Sequence, residues 1–155
     1  MKAWAPALHS LLLTVWAGSL WTVGWVPIVL FNKLQEISAG NIAAFLFTVV
    51  AWIGMVCGVL LIALRFHGGM AQARPARDWV LWAMGAMLLL TVVSHFGIGA
   101  IMEDLRAQAA PLSIRESPLR AQFGMWHGIS STLYLIQMVI ALALVMFSHR
   151  RQAQA

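Results

Sequence analysis

Four long apolar runs dominate the chain, at about residues 6–30, 41–64, 79–101 and 119–147. Each reaches the roughly 20 residues that a helix needs to cross about 30 Å of hydrocarbon. The segments between them are too short to hold a soluble domain. The expected fold is all-α: an integral membrane four-helix bundle, with residues 1–155 forming a single transmembrane domain. There is no low-complexity tract and no convincing internal repeat.

Polar and conformationally special residues punctuate the runs. Pro6 suits the first turn of helix one. Pro27 comes late in the same helix, where its missing N–H predicts a kink. Asn32 to Gly40 reads as a short connection, with Asn41 capping helix two. Gly68, Gly69 and Pro75 mark the next loop, and Asp78 is the expected N-cap of helix three. The connection at about 102–118 is the longest. Its Glu103–Ala110 stretch extends helix three, Pro111 ends it, and Ser117-Pro118 reads as N-cap and first residue of helix four.

Small residues recur every four positions in three helices: Ser10, Thr14 and Gly18, then Gly54 and Gly58, then Gly124 and Gly128. Such rows let helix backbones approach closely. Packing inside the bundle is the simpler reading, and a homodimer face is the other. Trp4, Trp79 and Trp82 fall near one interface and Trp21, Trp25 and Trp126 near the other, as aromatic belts do. Trp16 and Trp52 fall mid-span and are expected to pack.

Composition agrees with the runs. The chain is 61% hydrophobic and 10% charged, against about a quarter charged in a soluble domain. The formal net charge of +5 invites a nucleic-acid partner, but its distribution points to the lipid bilayer. Lys2, Arg65, Arg74, Arg77, Arg150 and Arg151 share one side, opposed there by Asp78 alone. On the other side Lys33, Arg106, Arg115 and Arg120 are matched by Glu36, Glu103, Asp104 and Glu116. Excess base marks the cytoplasm, so both termini are expected inside, N-in/C-in. The six cations would also suit anionic headgroups. The first apolar run, about 25 residues, exceeds the 7–15 of a signal peptide, and no cleavage is expected. Cys57 is the only cysteine, which excludes an intrachain disulfide and a cysteine-based metal cluster.

Buried polar residues are costly in a membrane unless paired, so they carry the functional information. On helix four, His127, Ser130, Ser131, Tyr134 and Gln137 form one stripe at 100° per residue. Helix three places Thr91 and His95 on one face, and helix one adds Ser10, Thr14 and His9. This interior is expected to open towards the outer face. His95 and His127 each lie roughly 9 Å inside the outer end of their helix, at 1.5 Å per residue. Two imidazoles at one depth on neighbouring helices admit three readings. Each pins the helix pair through a hydrogen bond; or His95, His127 or both hold a b-type haem, with Gly97, Gly99, Gly124 and Gly128 leaving room for a porphyrin; or they bind copper or zinc. Proton relay and small-molecule binding also suit such a pair. Copper fits poorly, because Met125 is about 200° around the helix from His127 and Met102 about 10 Å from His95. Zinc would be short of ligands. No nucleotide loop, zinc-protease motif or nucleophile elbow is present.

The stretches Leu20-Trp21-Thr22-Val23-Gly24, Leu46-Phe47-Thr48 and Ala51-Trp52-Ile53-Gly54 resemble a bacterial family of unknown function. So do Ser94-His95-Phe96-Gly97-Ile98, Ser117-Pro118-Leu119 and Trp126-His127-Gly128-Ile129-Ser130-Ser131. That family is likened to human transmembrane protein 205. More distantly it is similar to the copper-resistance D type and to membrane-bound protoporphyrinogen oxidase, a haem-associated four-helix protein. The resemblance implies a four-helix protein of the bacterial cytoplasmic (inner) membrane and raises haem at His95 and His127. No lysine lies inside a span, where the porphyrin-oxidase chemistry would look for one. The expected function is a non-enzymatic binding or interaction module, with a membrane protein or a second copy as partner. A haem-bearing redox protein and a copper-handling protein are the alternatives.

Overall fold

The computed structural model describes residues 4–67 and 78–152, the last five as backbone only. Lys2, Gly68, Gly69, Arg74, Pro75 and Arg77 lie outside the described residues, as do the side chains of His149, Arg150 and Arg151. All regular structure among the described residues is helical. α1 spans Ala5–Lys33 and α2 spans Glu36–His67. α3 is one rod, Trp79–Ala109, and α4 runs Arg120–Gln152.

All four are long and apolar enough to cross a membrane, and only 22–28% of their most apolar windows is buried. The rest of that surface is uncovered by protein: Leu11, Leu89 and Val139 are 59–66% exposed. Apolar surface of this extent is not stable against water. Lipid is the solvent that fits, and helices satisfy their own backbone within it. The chain is a multi-pass membrane protein.

The helices outrun their apolar stretches. α2 starts at Glu36, whose carboxylate favours the positive end of the helix dipole. Asn41 is therefore inside α2 and caps nothing, contrary to expectation. α1 continues unbroken through Pro27. Asp78 does cap α3, accepting a bond from Leu81 N at 3.4 Å. Ser117 Oγ accepts from Leu119 N at 3.1 Å, but Pro118 stays in a turn and α4 begins at Arg120.

α1 lies against α2 and α4, and α3 lies against the same two. Sequence neighbours are thus spatial neighbours, as short connections require. The α1–α2 and α3–α4 connections share one end, here the loop end. The start of α1 and the end of α4 lie at the opposite, terminal end.

The core fills the terminal half. Leu13, Trp16 and Leu20 of α1 meet Val50, Cys57 and Leu61 of α2, Met84 and Met87 of α3, and Met138, Ala141 and Leu144 of α4. Trp16, fully buried, packs its indole against two glycines. A Cβ on Gly54 would stand 2.6 Å from Trp16 Nε1, and one on Gly58 3.1 Å from Trp16 Cη2. This small-residue row is the close helix contact. The other two rows are not: a Cβ on Gly18, Gly124 or Gly128 meets nothing within 4 Å. Trp52, expected in the core, is 53% exposed and leans edge-on towards Phe96.

Packing stops halfway along the bundle. The last buried residue of α1 is Leu20, and the first of α4 is Gln137. α2 and α3 keep buried residues towards the loop end, among them Ala39, Ala43, Met102 and Leu105. The loop-end halves of α1 and α4 bury nothing of their own, and a cavity opens there.

Candidate ligand cavity

The wall that α3 presents depends on a change of helix type. Trp79–Val92 is α-helical, Val93–Gly99 is π-helical and Ala100–Ala109 is α-helical again. A π turn inserts a residue into the helical register, usually at a functional site. Gly97 and Gly99 ease the change, since glycine weakens an α-helix. Ser94 and Glu103, nine positions apart, would oppose each other on an ideal helix at 100° per residue. Both line the cavity, because the wider π turn removes part of that rotation. His95, Gly99, Met102 and Arg106 share this face.

The cavity measures about 1410 Å³ and is bounded by all four helices and residues 110–115. Ordinary small-molecule sites hold roughly 300–1,000 Å³. Trp25, Ile28 and Phe31 of α1 and Phe45 and Phe47 of α2 make an apolar side. Thr91, His95, His127, Ser130, Ser131, Tyr134 and Gln137, the polar cluster expected from the sequence, all line the same space.

Within the cluster the roles divide by depth. At the floor Thr91 Oγ1 stands 2.9 Å from both Gln137 Oε1 and Met87 O, tying α3 to α4. One hydroxyl proton cannot serve two acceptors, so the Gln137 amide satisfies both bonds when turned over, with Nε2–H donating to Thr91. Tyr134 Oη donates to Leu20 O at 2.7 Å, and its ring meets Phe47 edge-on at 5.2 Å. It therefore joins α4 to both α1 and α2. Higher up, His127 and Ser131 are exposed and Ser130 is half-buried. His127 stacks on Phe123 with centroids 6.1 Å apart and planes 8° apart. His95 meets Phe96 at 4.7 Å and Trp52 at 6.1 Å. Ser94 Oγ is buried without a partner.

Charges ring the loop-end rim: Arg106, Arg115 and Arg120 with Glu36 and Glu103. Arg115 Nε is 3.4 Å from Glu36 Oε2, with side chains 70% and 30% exposed, an ion pair of little net strength. Arg106 also meets Phe123, its guanidinium carbon 5.8 Å from the centre of that ring. Its Nε is buried and has no hydrogen-bond partner. In the sequence Arg106 counted only as one of four flanking cations; nothing there marked it as part of a wall.

A second buried polar group, away from the cavity, was also missed. Arg65 Nε and Nη2 each donate to Asp78 at 2.6 Å, with side chains 6% and 0% exposed. Arg65, counted as a flanking topology charge, is half of a buried pair at the terminal end. His9 is buried at that end too, its Nε2 unpartnered.

For metals and haem the geometry is specific. Among the described residues no three His, Cys, Asp or Glu side chains are grouped to hold a metal ion. Met84, Met87 and Met138 are core residues and Met125 is 54% exposed, so these four serve packing and lipid contact. His95 and His127 line one cavity, as a haem would need. Of the glycines expected to leave room for it, Gly99 and Gly124 border the space and Gly97 and Gly128 lie off it.

Fold and cavity together define a multi-pass, four-helix membrane protein with a ligand-sized space at one end. The chain belongs to the DUF4149 family, a domain of unknown function, whose model matches residues 11–111. That match covers most of α1 and all of α2 and α3, and the serine–histidine stripe of α4 lies beyond it. No curated protein and no solved structure matches the chain. The likeness to transmembrane protein 205, to the copper-resistance D type and to protoporphyrinogen oxidase draws no support from these comparisons.

Proposed function

We propose that this protein is a non-enzymatic binding module of the bacterial cytoplasmic membrane that takes its ligand into the loop-end cavity. The supporting observation is the cavity itself: about 1410 Å³, with an apolar side from α1 and α2 and a polar side from α3 and α4. Large apolar space with a few convergent polar groups is the usual form of a binding site. Thr91, Gln137 and Tyr134 hold the floor, leaving Ser130, Ser131 and His127 to meet the ligand. The excess of Lys and Arg at the terminal end supports N-in/C-in topology, which turns the cavity away from the cytoplasm.

Native mass spectrometry of the gently purified protein tests this reading. A bound mass is expected, lost on denaturation and weakened in Ser131→Trp, whose indole would project among the polar groups of the cavity. A bare chain in both samples would sink the reading; a stoichiometric dimer would assign the face to a second copy.

A second reading rests on His95 and His127 lining one cavity: a b-type haem held there. It requires a Soret band and a sharp α-band in the reduced-minus-oxidised spectrum, both lost in His95→Ala or His127→Ala. Colourless protein from haem-replete cells would exclude it.

A further inference from the structure

We propose that the cavity's ligand is an anionic lipid, its phosphate or carboxylate head held by Arg106 and its acyl chain laid along the apolar wall. The inference rests on the reading of the cavity as a ligand site and names the class of ligand.

Arg106 carries the argument. A guanidinium keeps its charge and offers five N–H donors. Burying such a donor without an acceptor is unfavourable, yet Nε of Arg106 is buried without a partner. Glu103, one turn back on α3, attracts the guanidinium through space, but no acceptor reaches Nε. The guanidinium carbon lies over the Phe123 ring, 5.8 Å from its centroid, a cation–π contact that keeps the charge beside the cavity wall. A planar guanidinium with Nε unfilled can take a carboxylate or phosphate bidentately. With Arg115 and Glu36 paired to each other, Arg106 and Arg120 oppose Glu103 at the rim. The surplus charge is positive and favours an anion.

Depth and length point to a lipid. α3 has 31 residues, Trp79–Ala109, with Ser94 at its middle. Arg106 is twelve positions further on, about 18 Å at 1.5 Å per residue. The hydrocarbon half-thickness is about 15 Å, so with α3 centred in the bilayer the guanidinium sits at headgroup level. From Arg106 down to Thr91 is about 22 Å of helix, longer than the roughly 15 Å that one leaflet's chains span. The wall along that path includes Trp25, Ile28 and Phe45, which are 61%, 56% and 67% exposed. An acyl chain can cover them.

The full-length protein in a neutral detergent is titrated with phosphatidylglycerol, oleate and phosphatidylcholine, and bound lipid is counted by native mass spectrometry. One molecule of an anionic lipid is expected to bind at least about tenfold more tightly than phosphatidylcholine, a 1.4 kcal/mol preference. Arg106→Gln is expected to remove that preference, weakening phosphatidylglycerol and oleate more than phosphatidylcholine. Arg106→Lys should retain part of it. Arg120→Gln, on an exposed side chain that is safe for folding, should reduce it less. Preference for phosphatidylglycerol over oleate assigns a phosphate head, and the reverse assigns a free carboxylate. Equal binding of all three lipids, or an unchanged preference in a folded Arg106→Gln, overturns the headgroup assignment while the cavity remains a binding site. No bound lipid of any kind, together with no co-purified mass, overturns both.

Discussion

Trp16 shows how much one side chain decides in this fold. It is fully buried and reaches α2 only because Gly54 and Gly58 present bare backbone. Gly54→Ala puts a methyl 2.6 Å from the indole nitrogen, and an indole packed on all sides cannot retreat. We expect a loss of about 1–3 kcal/mol, as for other overpacked cores, read from unfolding in mixed micelles. Gly128→Ala, with nothing within 4 Å of its new Cβ, should cost nothing measurable. From sequence the two rows look alike, since four-residue spacing says which residues are small and not what stands opposite. Arg65 and Asp78 illustrate the same limit. Their charges were legible, but a pairing across thirteen positions depends on how α2 and α3 meet.

Helices were the most legible elements, because a membrane span is defined by the length of an apolar run. Their ends were less so. α2 starts five residues before the expected position, at Glu36, because a helix rising past the hydrocarbon no longer needs apolar side chains. The π-helical segment Val93–Gly99 was not legible, beyond two glycines in a helical run. The polar stripe of α4 was, because a 100° repeat places it on one face whatever its neighbours are. Its partner on α3 is Thr91, and the Thr91–Gln137 bond lends itself to a double-mutant cycle of Thr91→Val and Gln137→Leu. Interhelical bonds in membranes average about 0.6 kcal/mol and reach about 1.7. A coupling in that range is expected; zero coupling would mean that the pair does not join α3 to α4.

As a whole, the molecule is a bundle packed at one end and open at the other. The closed half holds the shared core and the Arg65–Asp78 pair, which give the open half a rigid base. The proposed N-in/C-in topology turns the open end outward. Ser113→Cys, in the α3–α4 connection, is expected to react with an impermeant thiol reagent in intact cells, and Cys57 is buried and should stay silent. Labelling only after the membrane is broken would reverse the topology. The cavity's existence was foreshadowed by the polar stripe, but its size was not, since the stripe is equally compatible with helices in contact.

That size is therefore the claim to test first. Single cysteines at Ser131, Ala141 and Val139, in a Cys57→Ala background, can be probed with a small membrane-permeant maleimide. Ser131 lines the cavity, Ala141 is fully buried and Val139 is 66% exposed on the outer surface, where lipid withholds the water that a thiolate needs. Fast reaction at Ser131→Cys, with both controls slow, is the predicted result. Ser131→Cys as unreactive as Ala141→Cys would mean that the helices close over this end and that the bundle holds no ligand space.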